Sequence, residues 1–299
     1  MPKTTPLLLK TLTVCCAIIL AACGSVPDLG DQFANKRGIN RGLNSTGFRV
    51  GGIEVGPWWV TMAERGGKSD IVRIYIEGDG QAYITPLQPS GNPTPKKPVA
   101  LDLAKAENKD GGVFYLARPC QFANLNSQPC GREVWTIARF DEQVMDGYAA
   151  AVRKLLSGQP LPETGSQLAE MPGAQVAGRQ AVIIGYSGGA AIALEVAKRV
   201  PQVIGVITVA GNIDPAATNE WHRVSAMPTA VRPYQYPGRL AEIPVLHLVG
   251  AKDEVIRPEL TRQVIDGAGR LACTKIEVVP DASHNEGWGK VWPVALPRC

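Results

Sequence analysis

From residue 180 onward the chain alternates between short apolar runs and stretches with helical spacing. "QAVIIGYS" (180–187), "VIGVITVAGN" (203–212), "IPVLHLVG" (243–250) and "TKIEVVP" (274–280) are the apolar runs, and most carry too few polar positions for a solvated face. Such runs read as strands covered on both sides. Between them, residues 188–200 read as an alanine-rich helix closed by Pro201, and "PELTRQVIDGAG" (258–269) as a second helix. The first half is less regular. "FRVGGIEV" (48–55) and "WWVTMAER" (58–65) read as two strands joined at Gly56-Pro57, "SDIVRIYIEGDG" (69–80) as a strand ending in a glycine-rich turn, and "GGVFYLARP" (111–119) as another. A proline-rich loop, "TPLQPSGNPTPKKP", leads into a short helix near 99–106, and a longer helix covers 140–156 with Asp141 placed to cap its start. Strands alternating with helices predict an α/β fold, a largely parallel central sheet flanked by helices. Residues 215–236 fall outside the alternation and read as a short insertion over one rim of the sheet. Its Trp221, Tyr234 and Tyr236 either line an apolar pocket or pack the insertion onto the core.

The N-terminus has a different pattern. Lys3 and Lys10 flank the start of an apolar stretch, Thr11 to Ala22, that is too short to span a bilayer and has the proportions of a secretory signal. Leu20-Ala21-Ala22-Cys23 resembles a bacterial lipoprotein lipobox. The resemblance implies removal of residues 1–22 and acylation of Cys23, an anchor in which each buried methylene contributes about 0.8 kcal/mol. Gly24 follows the cysteine in place of an aspartate, which points to the periplasm-facing outer membrane. Residues 23–46 are polar and glycine-rich and read as a tether, leaving 47–299 as the folded domain.

Composition adds boundaries to this picture. The 299 residues, 45% hydrophobic and 19% charged, suffice for a sizeable core. The formal charge is +4; without Lys3 and Lys10 there remain 29 basic and 27 acidic side chains, about +2. No basic run of the kind that grips nucleic acid occurs, so no nucleic-acid partner is expected. The sequence carries no signature of an oligomeric state. Of seven cysteines, Cys15 and Cys16 leave with the signal and Cys23 takes lipid. Cys120, Cys130, Cys273 and Cys299 remain, an even number for an oxidising compartment. Three connectivities are open; Cys120–Cys130 with Cys273–Cys299 is favoured because each bond closes a modest loop. The spacing lacks the CxxC pair of a zinc site.

The chemistry concentrates at Gly185-Tyr186-Ser187-Gly188-Gly189, a G-x-S-x-G pattern at the junction of an apolar strand and a helix. Glycines two positions either side of a strained serine avoid a steric clash, and the helix start aims its N–H groups at the serine. Asp253 in "VGAKDEVI" follows one apolar strand, and His284 in "PDASHNEGW" follows the final one. Over about 48–288 the chain resembles the α/β-hydrolase fold family, on G-x-S-x-G, "GAKDEV" and the order Ser, Asp, His. The resemblance implies Ser187 as nucleophile, His284 as base and Asp253 as its partner. It also implies an oxyanion hole built from the Gly188 N–H and, from the "EGDG" turn, the Asp79 N–H. Glu77 stands where the family commonly has histidine, and its carboxylate suits the hole only if it points away. A surface turn is the other reading of "EGDG".

Rivals exist for two of the three roles. Asp214 is the alternative acid, with a capping or turn-making role as its plainer reading; Asp281 reads as a turn residue and Glu254 as a neighbour that points elsewhere. Of three histidines, His247 sits inside an apolar strand and reads as a core residue, and His222 lies in the insertion beside Trp221, where it could touch substrate. The expected function is a lipid-anchored serine hydrolase acting on an ester, thioester or amide, with peptidase or acyltransferase chemistry sharing the mechanism. No metal or organic cofactor is called for. The competing class is a non-catalytic envelope lipoprotein that uses the scaffold for ligand or partner binding.

Overall fold

The computed structural model describes residue 43 and residues 46–85, 87–108, 111–157 and 178–299. The segment 1–22 expected to be a signal, Cys23 expected to be acylated, and the expected tether apart from residues 43 and 46 lie outside the described residues. The central element is an eight-stranded sheet. Its strands are β1 (Arg49–Val55), β2 (Trp58–Arg65), β3 (Ile71–Ile76), β6 (Val113–Leu116), β7 (Gln180–Tyr186), β8 (Val203–Val209), β9 (Val245–Gly250) and β10 (Thr274–Val279). Their spatial order is β1-β2-β6-β3-β7-β8-β9-β10. β2 runs antiparallel to both neighbours, and from β6 to β10 every pairing is parallel. The β1–β2 turn is two residues long, with Val55 paired to Trp58 and Gly56 at φ +57, a conformation that favours glycine.

Why the inner strands read as unbroken apolar runs is now plain. Every residue of β6 and β9, and all of β7 after Gln180, is buried, because helices cover both faces. α1 (Val99–Lys105), α2 (Glu142–Leu156), α3 (Gly189–Arg199) and α5 (Pro258–Gly267) pack on the sheet, and α4 (Pro215–Trp221) packs on α5. α3 packs on β7 and β8 through Ala190, Ala191, Ala193 and Ala197, all fully buried, and the small side chains bring helix and sheet close. At its C-terminus, Arg199 pairs with Glu195 and with Glu142 and Asp146 of α2, tying the two helices together.

The proline-rich loop and the start of α2 differ from what the sequence predicts, whereas His247 and the cysteines follow it. The proline-rich loop contains a small antiparallel hairpin, β4 (Tyr83–Thr85) with β5 (Gln88–Pro89), where a plain loop was expected. Asp141 does occupy the N-cap position of α2, but its side chain makes no capping bond; it accepts a hydrogen bond from Thr229 Oγ1 at 2.7 Å. The insertion splits in role. Tyr234 is buried and hydrogen-bonds His247 at 2.8 Å, whereas Trp221 and Tyr236 are exposed. His247 is a core residue, fully buried between Tyr234 and Thr208 Oγ1 (2.7 Å), and burial pushes its pKa down to about 3. Both favoured disulfides form, Cys120–Cys130 and Cys273–Cys299, and the second fastens the last residue to the start of β10.

Candidate active site

The site forms at the carboxyl ends of the parallel strands, where open α/β sheets build their clefts. β7 ends at Tyr186, and Ser187 takes φ +48, a left-handed conformation costly for a non-glycine residue. Three backbone bonds hold it there. Its N–H donates to the Val209 carbonyl (3.0 Å), and its carbonyl accepts from the N–H groups of Ala190 (3.0 Å) and Asn212 (2.9 Å). The flanking glycines are required by space. A Cβ at Gly185 would lie 2.5 Å from the Gly189 carbonyl oxygen, and one at Gly189 would lie 2.4 Å from that of Ile76. At Gly188 a Cβ would meet the Asp79 carboxylate at 1.9 Å.

Ser187 Oγ lies 3.0 Å from His284 Nε2, and His284 Nδ1 lies 3.0 Å from Asp253 Oδ2. The structure thus brings together all three residues picked from the sequence. The Asp253 side chain is fully buried, and its Oδ1 accepts the N–H groups of Val255 and Ile256, both at 2.8 Å. This local turn fixes the carboxylate and leaves Oδ2 for the imidazole. The rivals are committed elsewhere. Asp214 caps α4 through the Ala217 N–H (3.0 Å) and pairs with Arg232. Asp281 is exposed and pairs with Lys252 and Lys290, and His222 Nε2 meets the Val255 carbonyl at 2.7 Å.

The loop carrying the base is steadied by a residue the motif leaves unspecified. The Tyr186 hydroxyl lies 2.7 Å from Asn285 Oδ1 and 3.1 Å from the His284 carbonyl, which also accepts the Trp288 indole N–H at 3.1 Å. Its ring packs against the imidazole with centroids 5.6 Å apart. Sequence inspection offered no handle on this contact, because the middle positions of G-x-S-x-G admit many residues.

The "EGDG" turn is a built feature of the cleft. Glu77 turns its carboxylate inward, where it accepts from the N–H groups of Gly78 (2.9 Å) and Ala100 (3.4 Å) and from the Tyr115 hydroxyl (3.2 Å). The acidic side chain therefore faces the first turn of α1 and away from any reacting oxygen. Asp79 lies between Arg118 and Arg139, at 2.8 Å from each. Burial pushes its carboxyl up, the two guanidinium groups outweigh that, and it sits below the ordinary carboxylate value. The N–H groups of Gly188 and Asp79 find no acceptor among the described residues. Both residues flank Ser187, whose cleft has a volume of about 590 Å³ and walls that include Asp79, Gln81, Tyr83, Lys96 and His284. Trp221, Tyr234 and Tyr236 do not line it. Among the described residues no group of three His, Cys, Asp or Glu side chains is arranged to hold a metal ion.

Burial raises the Glu77 pKa from 4.5 to about 7 against the hydrogen bonds it accepts. Between those values the folded protein keeps a proton that the unfolded chain has released, so this contribution to stability is full below pH 4.5 and is lost as pH rises through 7. The loss is on the order of 3 kcal/mol. Urea unfolding of wild type and Glu77→Gln at pH 5 and pH 8 checks this: wild type is expected to weaken relative to the variant by that amount at the higher pH. Parallel pH dependence of the two proteins would contradict it.

No family model matches the sequence, and no curated protein matches it. Solved structures do. The Pyrococcus furiosus esterase Pf2001 superposes in three crystal forms with TM-scores of 0.52, 0.51 and 0.50, at 12%, 14% and 12% identity. In each case about 81% of this chain is covered, and 84–86% of the esterase. The mostly parallel eight-stranded sheet with flanking helices is the α/β-hydrolase fold.

Proposed function

We propose that this protein is a serine hydrolase that cleaves a carboxylic ester, thioester or amide through an acyl-enzyme on Ser187. One observation carries the reading: a left-handed serine at a strand–helix junction, 3.0 Å from an imidazole whose other nitrogen meets a buried carboxylate at 3.0 Å. In the reaction Ser187 Oγ attacks the carbonyl carbon while its proton passes to His284 Nε2. Asp253 keeps the Nδ1 proton in place, so that Nε2 is the free base, and stabilises the imidazolium that forms. The tetrahedral oxygen takes the negative charge and accepts from the N–H groups of Gly188 and Asp79. Collapse expels the leaving group, which takes the proton from His284. Water then attacks the acyl-enzyme with the same base, releasing the acid and restoring Ser187. Export and acylation of Cys23 would hold this cleft at a membrane surface and keep the two disulfides in an oxidising compartment.

The similarity to an esterase favours carbon–oxygen ester cleavage among these reactions. The walls favour short acyl groups. Gln81, Lys96, Asn285 and Glu286 border the cleft, and a long alkyl chain laid along them would strip water from polar groups without replacing it. A panel of p-nitrophenyl esters and aminoacyl anilides tests both points. The expected result is turnover of acetate and butyrate esters, with kcat/KM falling at least tenfold by laurate and lower activity on anilides. Absence of turnover across the whole panel would favour a ligand-binding role for the scaffold.

A further inference from the structure

Gln121 is buried inside the loop closed by Cys120–Cys130, far in sequence from the nucleophile, and the reaction scheme gives it no role. Its two partners fix its amide orientation. Oε1 accepts the Arg118 N–H at 3.1 Å, and Nε2 donates to the Gly78 carbonyl at 2.9 Å. A trans peptide unit carries its C=O and N–H on opposite edges. Drawing the Gly78 carbonyl toward Gln121 therefore turns the Asp79 N–H the other way. Gly78 lies against the nucleophile: a Cβ there would be 3.1 Å from Ser187 Cβ and 3.0 Å from Tyr186 Cδ1. Asp79 lines the cleft with Ser187 and His284, and its N–H has no acceptor among the described residues.

The rest of the turn is fixed so that this one donor stays free. Glu77 holds the Gly78 N–H, and Arg118 and Arg139 hold the Asp79 carboxylate. Gln121 is itself gripped. Cys120 (φ +68) and Phe122 (φ +54) both adopt left-handed conformations, and the Phe122 N–H donates to Thr94 Oγ1 at 2.8 Å. Two non-glycine residues in that region, one on each side of Gln121, persist only where the surroundings impose them.

We infer that Gln121 is the positioning residue of the oxyanion hole: by binding the Gly78 carbonyl it aims the Asp79 N–H at the developing negative charge. The inference rests on the hydrolase reading above. It gives the Cys120–Cys130 loop a task at the site, since that loop delivers an amide from behind the turn.

The test uses the full-length protein in detergent with Gln121→Glu and Gln121→Met. The first keeps the acceptor for the Arg118 N–H and loses the donor; the second has similar volume and neither. For p-nitrophenyl acetate, kcat is expected to fall ten- to a hundredfold in both, with KM within about twofold, because the donor acts on the transition state. The inhibition constant of phenylboronic acid, whose serine adduct places an oxygen in the hole, is expected to rise by a similar factor. A purely structural role would lower the melting temperature and leave both readouts of the folded fraction unchanged. Folded variants with undiminished kcat and boronate affinity would overturn this inference alone, whereas an inactive wild type would overturn the hydrolase reading with it. A crystal structure of the wild-type boronate adduct decides the matter independently of how the variants fold. The boronate oxygen is expected within hydrogen-bond distance of the Asp79 N–H with Gln121 on the Gly78 carbonyl, and a flipped 78–79 peptide would overturn the inference.

Discussion

Ser187→Ala is expected to lower kcat on p-nitrophenyl acetate by about 10⁵-fold, with the fold intact. Without Oγ no acyl-enzyme forms, and what survives is the contribution of binding and of the oxyanion donors, about 10³–10⁴ over water in enzymes of this mechanism. The size of the loss depends on the nucleophile and base acting as a unit. His284→Ala is therefore expected to cost nearly as much, and the double variant little more than either. Stability is a separate quantity. Alanine keeps the Cβ of Ser187 and forfeits only the contact with His284 Nε2 at 3.0 Å, while the backbone bonds to Val209, Ala190 and Asn212 remain. Circular dichroism and thermal melting should match wild type within a few degrees. A variant that retains a tenth of the activity would remove Ser187 from the chemistry.

Asp253→Asn is expected to lower kcat by about 10⁴-fold, for a reason specific to the imidazole's proton. Asparagine fits the acceptor half of the site: its Oδ1 still receives the Val255 and Ile256 N–H groups, both now at 2.8 Å from the carboxylate. That orientation points an NH₂ group at His284 Nδ1, which must then become the acceptor. The ring proton moves to Nε2, and the nitrogen facing Ser187 can no longer take a proton. Nothing else in the geometry needs to change, so KM should move far less than kcat. Loss of activity accompanied by unfolding would point to a merely structural carboxylate. Unchanged activity would show that the 3.0 Å contact between His284 Nδ1 and Asp253 Oδ2 has no part in catalysis.

Much of this arrangement could be read from the chain. The runs around β7, β8 and β9 carry β-branched residues on both faces, which identifies buried parallel strands and hence the edge at which a site forms. Glycine at 185, 188 and 189 signals close backbone approach, and the coordinates identify the atoms approached. Asp253 and His284 were marked by their position just past strands, a topological property that survives without knowledge of contacts. The positioning layer was not legible. Gln121 and Gly78 are 43 residues apart, Arg139 and Asp79 are 60, and Tyr186 and Asn285 are 99. Polar side chains in loops carry no periodicity, so such pairings are set by tertiary folding alone. The β4–β5 hairpin escaped notice because its strands are three and two residues long and sit among prolines that mark turns. Asp141 shows the reverse case: a good capping residue stands at the right position, and its carboxylate instead accepts from Thr229, 88 residues away in the insertion.

The most direct measurement of the central claim is intact-mass and peptide analysis after treatment with a fluorophosphonate probe. One phosphonyl group is expected on wild type, bonded to Oγ of Ser187 and found on the peptide containing it, with fluoride as the leaving group and the hydroxyl proton passing to His284. Labelling is expected to vanish in Ser187→Ala and to slow by orders of magnitude in His284→Ala. A wild-type protein that stays unmodified, or a Ser187→Ala protein that still takes up the label, would contradict it.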